Sequence, residues 1–316
     1  MDLVLIILLL IVGIILIIKA GDIFVEAAVW FAGVSRIPKF IIGATVVSLA
    51  TTLPEIVVSA IAAFQGNVDM STGNAIGSVI VNTGLIMGLS IAFIPIAMKR
   101  KGFLEKVVFC GVSILLFGAF ALGGSFKLWQ VLVLLAIAVM FTLENVRSGS
   151  KNRKENHEEI IEFDKRKFYI NIVKFVLGTA GIFFGARLLI DNATELANFL
   201  NVPQRVIAIT TVALGTSLPE LATAITAIRK KGTALSLGNI IGANIANIAL
   251  VIPVSAFIYG GSLPIEPMNG IIDSGVAILL LLVAALPTLI RKKFSSWQGI
   301  ALISIYLIYI AYIFFV

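Results

Sequence analysis

Apolar residues run along this chain in long blocks, and the polar residues between them form short breaks. Ten blocks approach or exceed the roughly 20 residues an α-helix needs to cross the hydrocarbon of a bilayer. They cover 3–32, 38–65, 71–97, 103–122, 128–146, 168–198, 204–228, 233–258, 271–290 and 298–316. The breaks fall at Ser35 to Lys39, Gly66 to Asp69, Lys99 to Gly102, Gly123-Gly124, Asn201 to Pro203, Arg229 to Gly232, Gly260 to Gly270 and Arg291 to Lys293. Only 147–167 is a long polar stretch. It mixes both charge signs, holds the single histidine, His157, and reads as a solvated linker. The pattern predicts an all-α integral membrane protein of ten transmembrane helices, with 1–146 and 168–316 as its two halves. The start, Met1-Asp2 before Leu3, lacks the basic region and cleavage site of a signal peptide, so the first block is expected to stay as a helix.

Composition agrees. The chain has 316 residues, 59% hydrophobic and 13% charged, against about 25% charged in soluble domains. The net charge of +7 lies mostly in the breaks, which excludes nucleic acid as its partner and implicates the bilayer. With the N-terminus outside, the inner segments hold Arg36, Lys39, Lys99 to Lys101, Lys106, the basic residues of 147–167, Arg229 to Lys231 and Arg291 to Lys293. The outer ones keep Lys127 and Arg205. Basic residues favour the cytoplasmic side, which predicts N-out and C-out, a cytoplasmic linker and a multi-pass protein of the cell membrane. The single cysteine, Cys110, rules out an internal disulfide and is expected only to pack.

Some polar residues fall inside the apolar blocks. The second block reads Thr51-Thr52-Leu53-Pro54-Glu55 and the seventh Thr216-Ser217-Leu218-Pro219-Glu220. Proline lacks an N–H and breaks a helix. A charge at bilayer centre costs about 2.5–3.5 kcal/mol on insertion scales. Broken helix at membrane depth is tolerated where it lines a cavity. Ser48, Thr51, Thr52 and Glu55 share one helical face, and Ala213, Thr216, Ser217 and Glu220 repeat it. A shift of 165 residues superposes these motifs. It also carries Gly73-Asn74 onto Gly238-Asn239, Gly77 onto Gly242, Asn82 onto Asn247, Pro38 onto Pro203 and Glu26 onto Asp191. Five blocks per half is an odd number, so the second half is inverted relative to the first, as in many secondary transporters. Helices 2, 3, 7 and 8 are then expected to be broken around a central site.

The ligands this site offers are all oxygens: two carboxylates, the amides of Asn82 and Asn247, several hydroxyls and freed carbonyls, with Ser78, Asn74 and Asn239 as further polar lining. Such a set suits hard cations such as Ca²⁺. It does not suit Zn²⁺ or Cu⁺, since no histidine or cysteine joins it. Two carboxylates balance one divalent ion, two Na⁺ or two protons. That balance is the basis of exchange.

At these residues the chain resembles the cation/calcium antiporter superfamily, its prokaryotic sodium/calcium exchanger branch above all, over nearly its whole length. The resemblance implies exchange of Ca²⁺ for Na⁺ by alternating access, with Ca²⁺ extruded and no cofactor. It implies Glu55 and Glu220 as central Ca²⁺ ligands, flanked by Asn82 and Asn247. Thr51, Thr52, Thr216 and Ser217 would then be Na⁺ ligands, with Ser48 and Ala213 adding backbone carbonyls. Some members carry Asp at the position of Asn247, and its absence argues against K⁺ co-transport. Where the family usually has Gly-Thr-Ser, this chain has Ala50-Thr51-Thr52, with more bulk beside a Na⁺ ligand.

The alternative on the same fold is an H⁺/Ca²⁺ antiporter, since each glutamate could take a proton. An intramembrane enzyme would need an activated nucleophile or paired acids, and the spans contain no histidine or aspartate pair for it. A channel is the third class, and flux coupling separates it from an exchanger. Each chain holds a complete two-fold site, which predicts a monomer.

Overall fold

The computed structural model describes residues 3–35, 39–93, 100–152, 163–199, 212–229 and 233–315. They are almost wholly helical. Helix α1 (Leu3–Ser35) is followed by a rod in three pieces: α2 (Lys39–Ile42) with a π-helical turn (Gly43–Val47), α3 (Ser48–Thr51) and α4 (Leu53–Phe64). Next come α5 (Val68–Val81), a second π-turn (Asn82–Met87) and α6 (Gly88–Phe93). Helices α7 (Arg100–Ala121), α8 (Leu128–Asn152) and α9 (Lys165–Phe199) lead to α10 (Ala213–Thr216) and α11 (Leu218–Arg229). Helix α12 (Thr233–Ala246) continues through a third π-turn (Asn247–Val251) into α13 (Ile252–Tyr259), and α14 (Pro267–Arg291) and α15 (Ser296–Phe315) close the chain. Eight stretches of described helix are long and apolar enough to cross a membrane. One antiparallel ribbon pairs Ser125 with Pro264 and Phe126 with Leu263, tying the α7–α8 turn to the α13–α14 turn.

The apolar core lies along α5, α7 and α12 and the helices around them, with Phe117, Phe126, Ile80, Ile86 and Phe294 fully buried. A smaller cluster around Phe24, Val25 and Ile182 joins α1 to α9. Close approach in this pair follows from small residues: a side chain at Gly178 would begin 2.8 Å from the Cβ of Phe24, and one at Gly181 2.7 Å from that of Ala20. The tightest seam runs between the α2–α3 rod and α12. A side chain at Gly43 would begin 2.2 Å from the Leu235 carbonyl oxygen, and one at Gly238 2.1 Å from that of Phe40. Membrane helices gain little from hydrophobic exclusion and associate by such contact of small residues.

Several sequence expectations change. The polar stretch 147–167 is helical at both ends, since α8 runs on to Asn152 and α9 begins at Lys165. Its remainder, with His157, lies outside the described residues, as do Pro38 and Pro203. Lys106 is no loop cation. It is 5% exposed on α7, donates to Asn145 Oδ1, and sits 5.5 Å and 5.4 Å from the ring centres of Phe40 and Phe141. Lys174 and Arg187 pair with Glu26 and Asp191, at 3.2 Å and 3.7 Å. Asp273, inside the ninth apolar block, is 2% exposed and accepts a 2.7 Å bond from the Tyr309 hydroxyl.

Gly238→Ala is expected to lower thermal stability in detergent by the equivalent of about 1–3 kcal/mol, because the methyl group overpacks a backbone contact. Gly275→Ala meets nothing within 4 Å on α14 and should be neutral or stabilising by about 0.5–1 kcal/mol. Equal melting shifts in the two variants would contradict the seam.

Candidate cation-binding site

Each site segment begins at a helix break with one cause. Pro54 and Pro219 have no N–H to donate, so the carbonyls of Ala50 and Gly215 lose their usual partners. The chain leaves α-geometry two residues before each proline: Thr52 has φ −80°, ψ −3°, and Ser217 φ −80°, ψ 3°. Glu55 and Glu220 then fall in the first turns of α4 and α11. There the positive end of the helix dipole favours a carboxylate, while the negative ends of α3 and α10 favour a cation.

The two halves clasp each other. The Thr51 hydroxyl donates to Asn239 Oδ1 at 3.1 Å, and the Thr216 hydroxyl donates to Asn74 Oδ1 at 3.1 Å. The amide nitrogen of Asn74 donates to Ser59 Oγ at 2.9 Å, and that of Asn239 to Thr223 Oγ1 at 2.9 Å. Each threonine hydroxyl also lies within reach of the carbonyl three residues earlier, Ser48 at 3.3 Å and Ala213 at 3.2 Å, so the clasp holds both oxygens at the helix breaks. The Ser217 hydroxyl reaches across to Glu55 Oε1 at 3.4 Å. Two asymmetries interrupt the pattern. Thr52, the counterpart of Ser217, makes no such bond. Ser78 Oγ lies 3.4 Å from the Thr216 hydroxyl, whereas the equivalent position on α12 is Ala243.

All the residues expected from the sequence are buried: Glu55, Glu220, Asn82, Asn247, Thr51, Thr52, Thr216, Ser217, Ser48, Ala213, Ser78, Asn74 and Asn239. Hydrogen bonds join Thr51 to Asn239, and link Thr216, Asn74, Ser78, Ser217 and Glu55 in a second set. The Ser48 side chain turns away and donates to the Thr45 carbonyl at 3.0 Å. Asn82 and Asn247 each open a π-turn, a local irregularity frequent at functional sites. The supporting Ser59 and Thr223 were not expected, although their positions four and three residues after the glutamates put them on the same helix faces. A mainly apolar cavity of about 370 Å³ beside Pro54, Val57 and Phe183 lacks this oxygen cluster.

Polar atoms without a protein partner concentrate here. They include Glu55 Oε2, both Glu220 oxygens, Thr52 Oγ1, and both amide atoms of Asn82 and Asn247. An unpartnered buried polar atom costs about 1–3 kcal/mol, so a purely structural core would not collect so many. No group of three or more His, Cys, Asp or Glu side chains exists among the described residues. The donor set is therefore two carboxylates with neutral oxygens, fit for a hard cation.

The model of the sodium/calcium exchanger protein family matches residues 5–146 and 170–315. The chain belongs to this family. Among sodium/calcium exchanger relatives, MaX1 of Methanosarcina acetivorans is 29% identical over 98% of both chains. An uncharacterized membrane protein of Methanocaldococcus jannaschii is 34% identical over 95% of each. A solved structure of the sodium-calcium exchanger NCX_Mj, soaked with Na⁺ and Sr²⁺, superposes with a TM-score of 0.83 at 31% identity, covering 98% of this chain and 99% of that one. The exchanger fold thus places the clasp and both glutamates in a multi-pass membrane protein.

The clasp is testable by a double-mutant cycle. Thr216→Val and Asn74→Leu should each lower the melting temperature. Their combined effect should fall short of additivity by about 1 kcal/mol, the worth of one buried hydrogen bond. Strict additivity would mean the two side chains do not interact.

Proposed function

We propose that the protein is a secondary-active antiporter that exchanges Na⁺ for Ca²⁺ across the cell membrane and extrudes Ca²⁺. The observation that carries this reading is the pair of fully buried carboxylates at matched helix breaks, ringed by neutral oxygens and short of hydrogen-bond partners. Leaving two charges unpaired in an apolar slab is costly, and a bound cation removes that cost. One Ca²⁺ or a set of Na⁺ ions satisfies the same oxygens, so the site is exchanged rather than emptied. Membership of the sodium/calcium exchanger family and the likeness to NCX_Mj support the reading.

The architecture we infer is ten spans in two inverted five-helix repeats, 1–146 and 168–316, joined by the cytoplasmic stretch 147–167. Both termini lie outside and the chain acts as a monomer. The 165-residue offset and the reciprocal clasp support it. Glu55 and Glu220 are the Ca²⁺ ligands in this scheme, flanked by Asn82 and Asn247. Thr51, Thr52, Thr216 and Ser217 supply Na⁺ ligands, with the carbonyls of Ser48 and Ala213. Alternating access then rocks part of the molecule around a fixed central site.

The test is uptake of radiolabelled Ca²⁺ into proteoliposomes loaded with Na⁺. Uptake should require internal Na⁺ and fall at least a hundredfold in Glu55→Gln and in Glu220→Gln, since each removes a charge from a buried pair site worth about 3 kcal/mol or more. Uptake driven by a proton gradient alone would replace Na⁺ with H⁺. Uptake indifferent to both gradients would exclude antiport, and uptake surviving both substitutions would reassign the carboxylates.

A further inference from the structure

Helix α5 and the π-turn after it carry Ser71, Asn74, Ser78 and Asn82 at spacings of three, four and four, which keeps them on one face. Helix α12 and its π-turn repeat the stripe as Ser236, Asn239, Ala243 and Asn247. The first member of each stripe plays no part in the site described above. Ser71 and Ser236 lie one turn short of Asn74 and Asn239, about 4.5 Å along the axis at 1.5 Å per residue. They are 0% and 2% exposed, and neither hydroxyl has a hydrogen-bond partner.

That is unusual for serine in a helix, which commonly donates to the carbonyl one turn earlier. Ser90, Ser113 and Ser304 do so here, at 2.7, 2.8 and 2.9 Å. Among the described residues one other buried serine hydroxyl, Ser255, lacks a partner. Its counterpart at the 165-residue offset is the bonded Ser90, so among the described serines Ser71 and Ser236 alone are orphaned at both equivalent positions. Alanine at either place would avoid the desolvation cost of a buried hydroxyl. The Ser71 carbonyl is already taken by the Ser59 hydroxyl, at 3.1 Å, and Ser59 also holds Asn74. Ser71 is thereby fixed in register with the clasp.

We propose that Ser71 and Ser236 are approach ligands, one on each flank of the central site. Each hydroxyl oxygen replaces a water of an arriving Na⁺ or Ca²⁺ before the cation reaches the carboxylates. The inference rests on the exchanger reading. Inversion of the repeats then assigns Ser71 to the outer flank and Ser236 to the inner one.

The experiment uses the full chain in proteoliposomes of uniform orientation. The wild-type control tests exchange itself: absence of Na⁺-dependent Ca²⁺ flux there would overturn the parent reading, and with it this one. With exchange present, Ser71→Ala should raise the KM for external Ca²⁺ by about three- to tenfold, the loss of one neutral ligand, and leave the internal KM and kcat unchanged. Ser236→Ala should do the reverse. Unaltered KM values on both sides, or equal shifts on both sides in each variant, would overturn the proposal while leaving exchange intact. A second measurement guards against misfolding. In a Cys110→Ala background, Ser71→Cys and Ser236→Cys should react during turnover with an impermeant cationic thiol reagent, from the outside and the inside respectively, and Ca²⁺ should protect both. Failure of either cysteine to react in a transporting variant would also overturn it.

Discussion

Two carboxylates held in a slab of hydrocarbon dominate the energetics of this molecule. Everything nearby serves either to make them tolerable or to keep them unsatisfied by protein. Prolines at 54 and 219 open the helices beside them and turn positive helix ends toward them. Hydroxyls and amides supply dipoles without charge. The protein stops short of neutralising them: among the described residues no basic side chain forms an ion pair with either glutamate. A lysine there would give a quiet, stable core and no reason to bind an ion. On the reading proposed above, compensation is left to an ion that enters and leaves.

The clasp joins distant parts of the chain at one buried cluster of oxygens. Thr51 of the first half meets Asn239 of the second, and Thr216 of the second meets Asn74 of the first. Neither half completes its own oxygen cluster. The supporting hydroxyls, Ser59 and Thr223, differ in position by one residue after allowing for the repeat offset. The contact is preserved although the residue that makes it has moved, which indicates that orientation of the asparagine amide is the constrained quantity. Ser78 against Ala243, like Ser48 against Ala213, is a place where chemistry and not only position differs between the halves.

Much of this was legible in the amino-acid order because the bilayer imposes simple rules. Block length marks helices, and a polar residue deep in a block marks a site. The apolar blocks agree with the described helices to within several residues at most ends. The 165-residue offset picked out Thr51, Thr216, Asn74 and Asn239, which hydrogen bonds join across the halves. What stayed hidden depended on tertiary neighbours. Lys106 looks like any loop lysine near Arg100 until Phe40, Phe141 and Asn145 enclose it. Asp273 reads as a boundary charge because Tyr309, its partner, is 36 residues away. The helical ends of 147–167 were hidden by their high polarity, which matches that of a coil as well as that of a helix reaching beyond the bilayer. Ser71 and Ser236 were visible as letters, but their want of a hydrogen-bond partner is a property of the packed state alone.

The glycine seam has a consequence for leakage. Where Gly43 and Gly238 bring backbone against backbone, no side chain stands between the helices. A seam that admits no methyl group admits no file of water either. It therefore behaves as an electrical insulator beside a charged centre. At those two points the packing leaves no room for a hydrated ion to pass between the helices. In the exchange proposed above, tightness of this kind, set by the smallest residues in the chain, would keep a gradient from running down between one ion and the next.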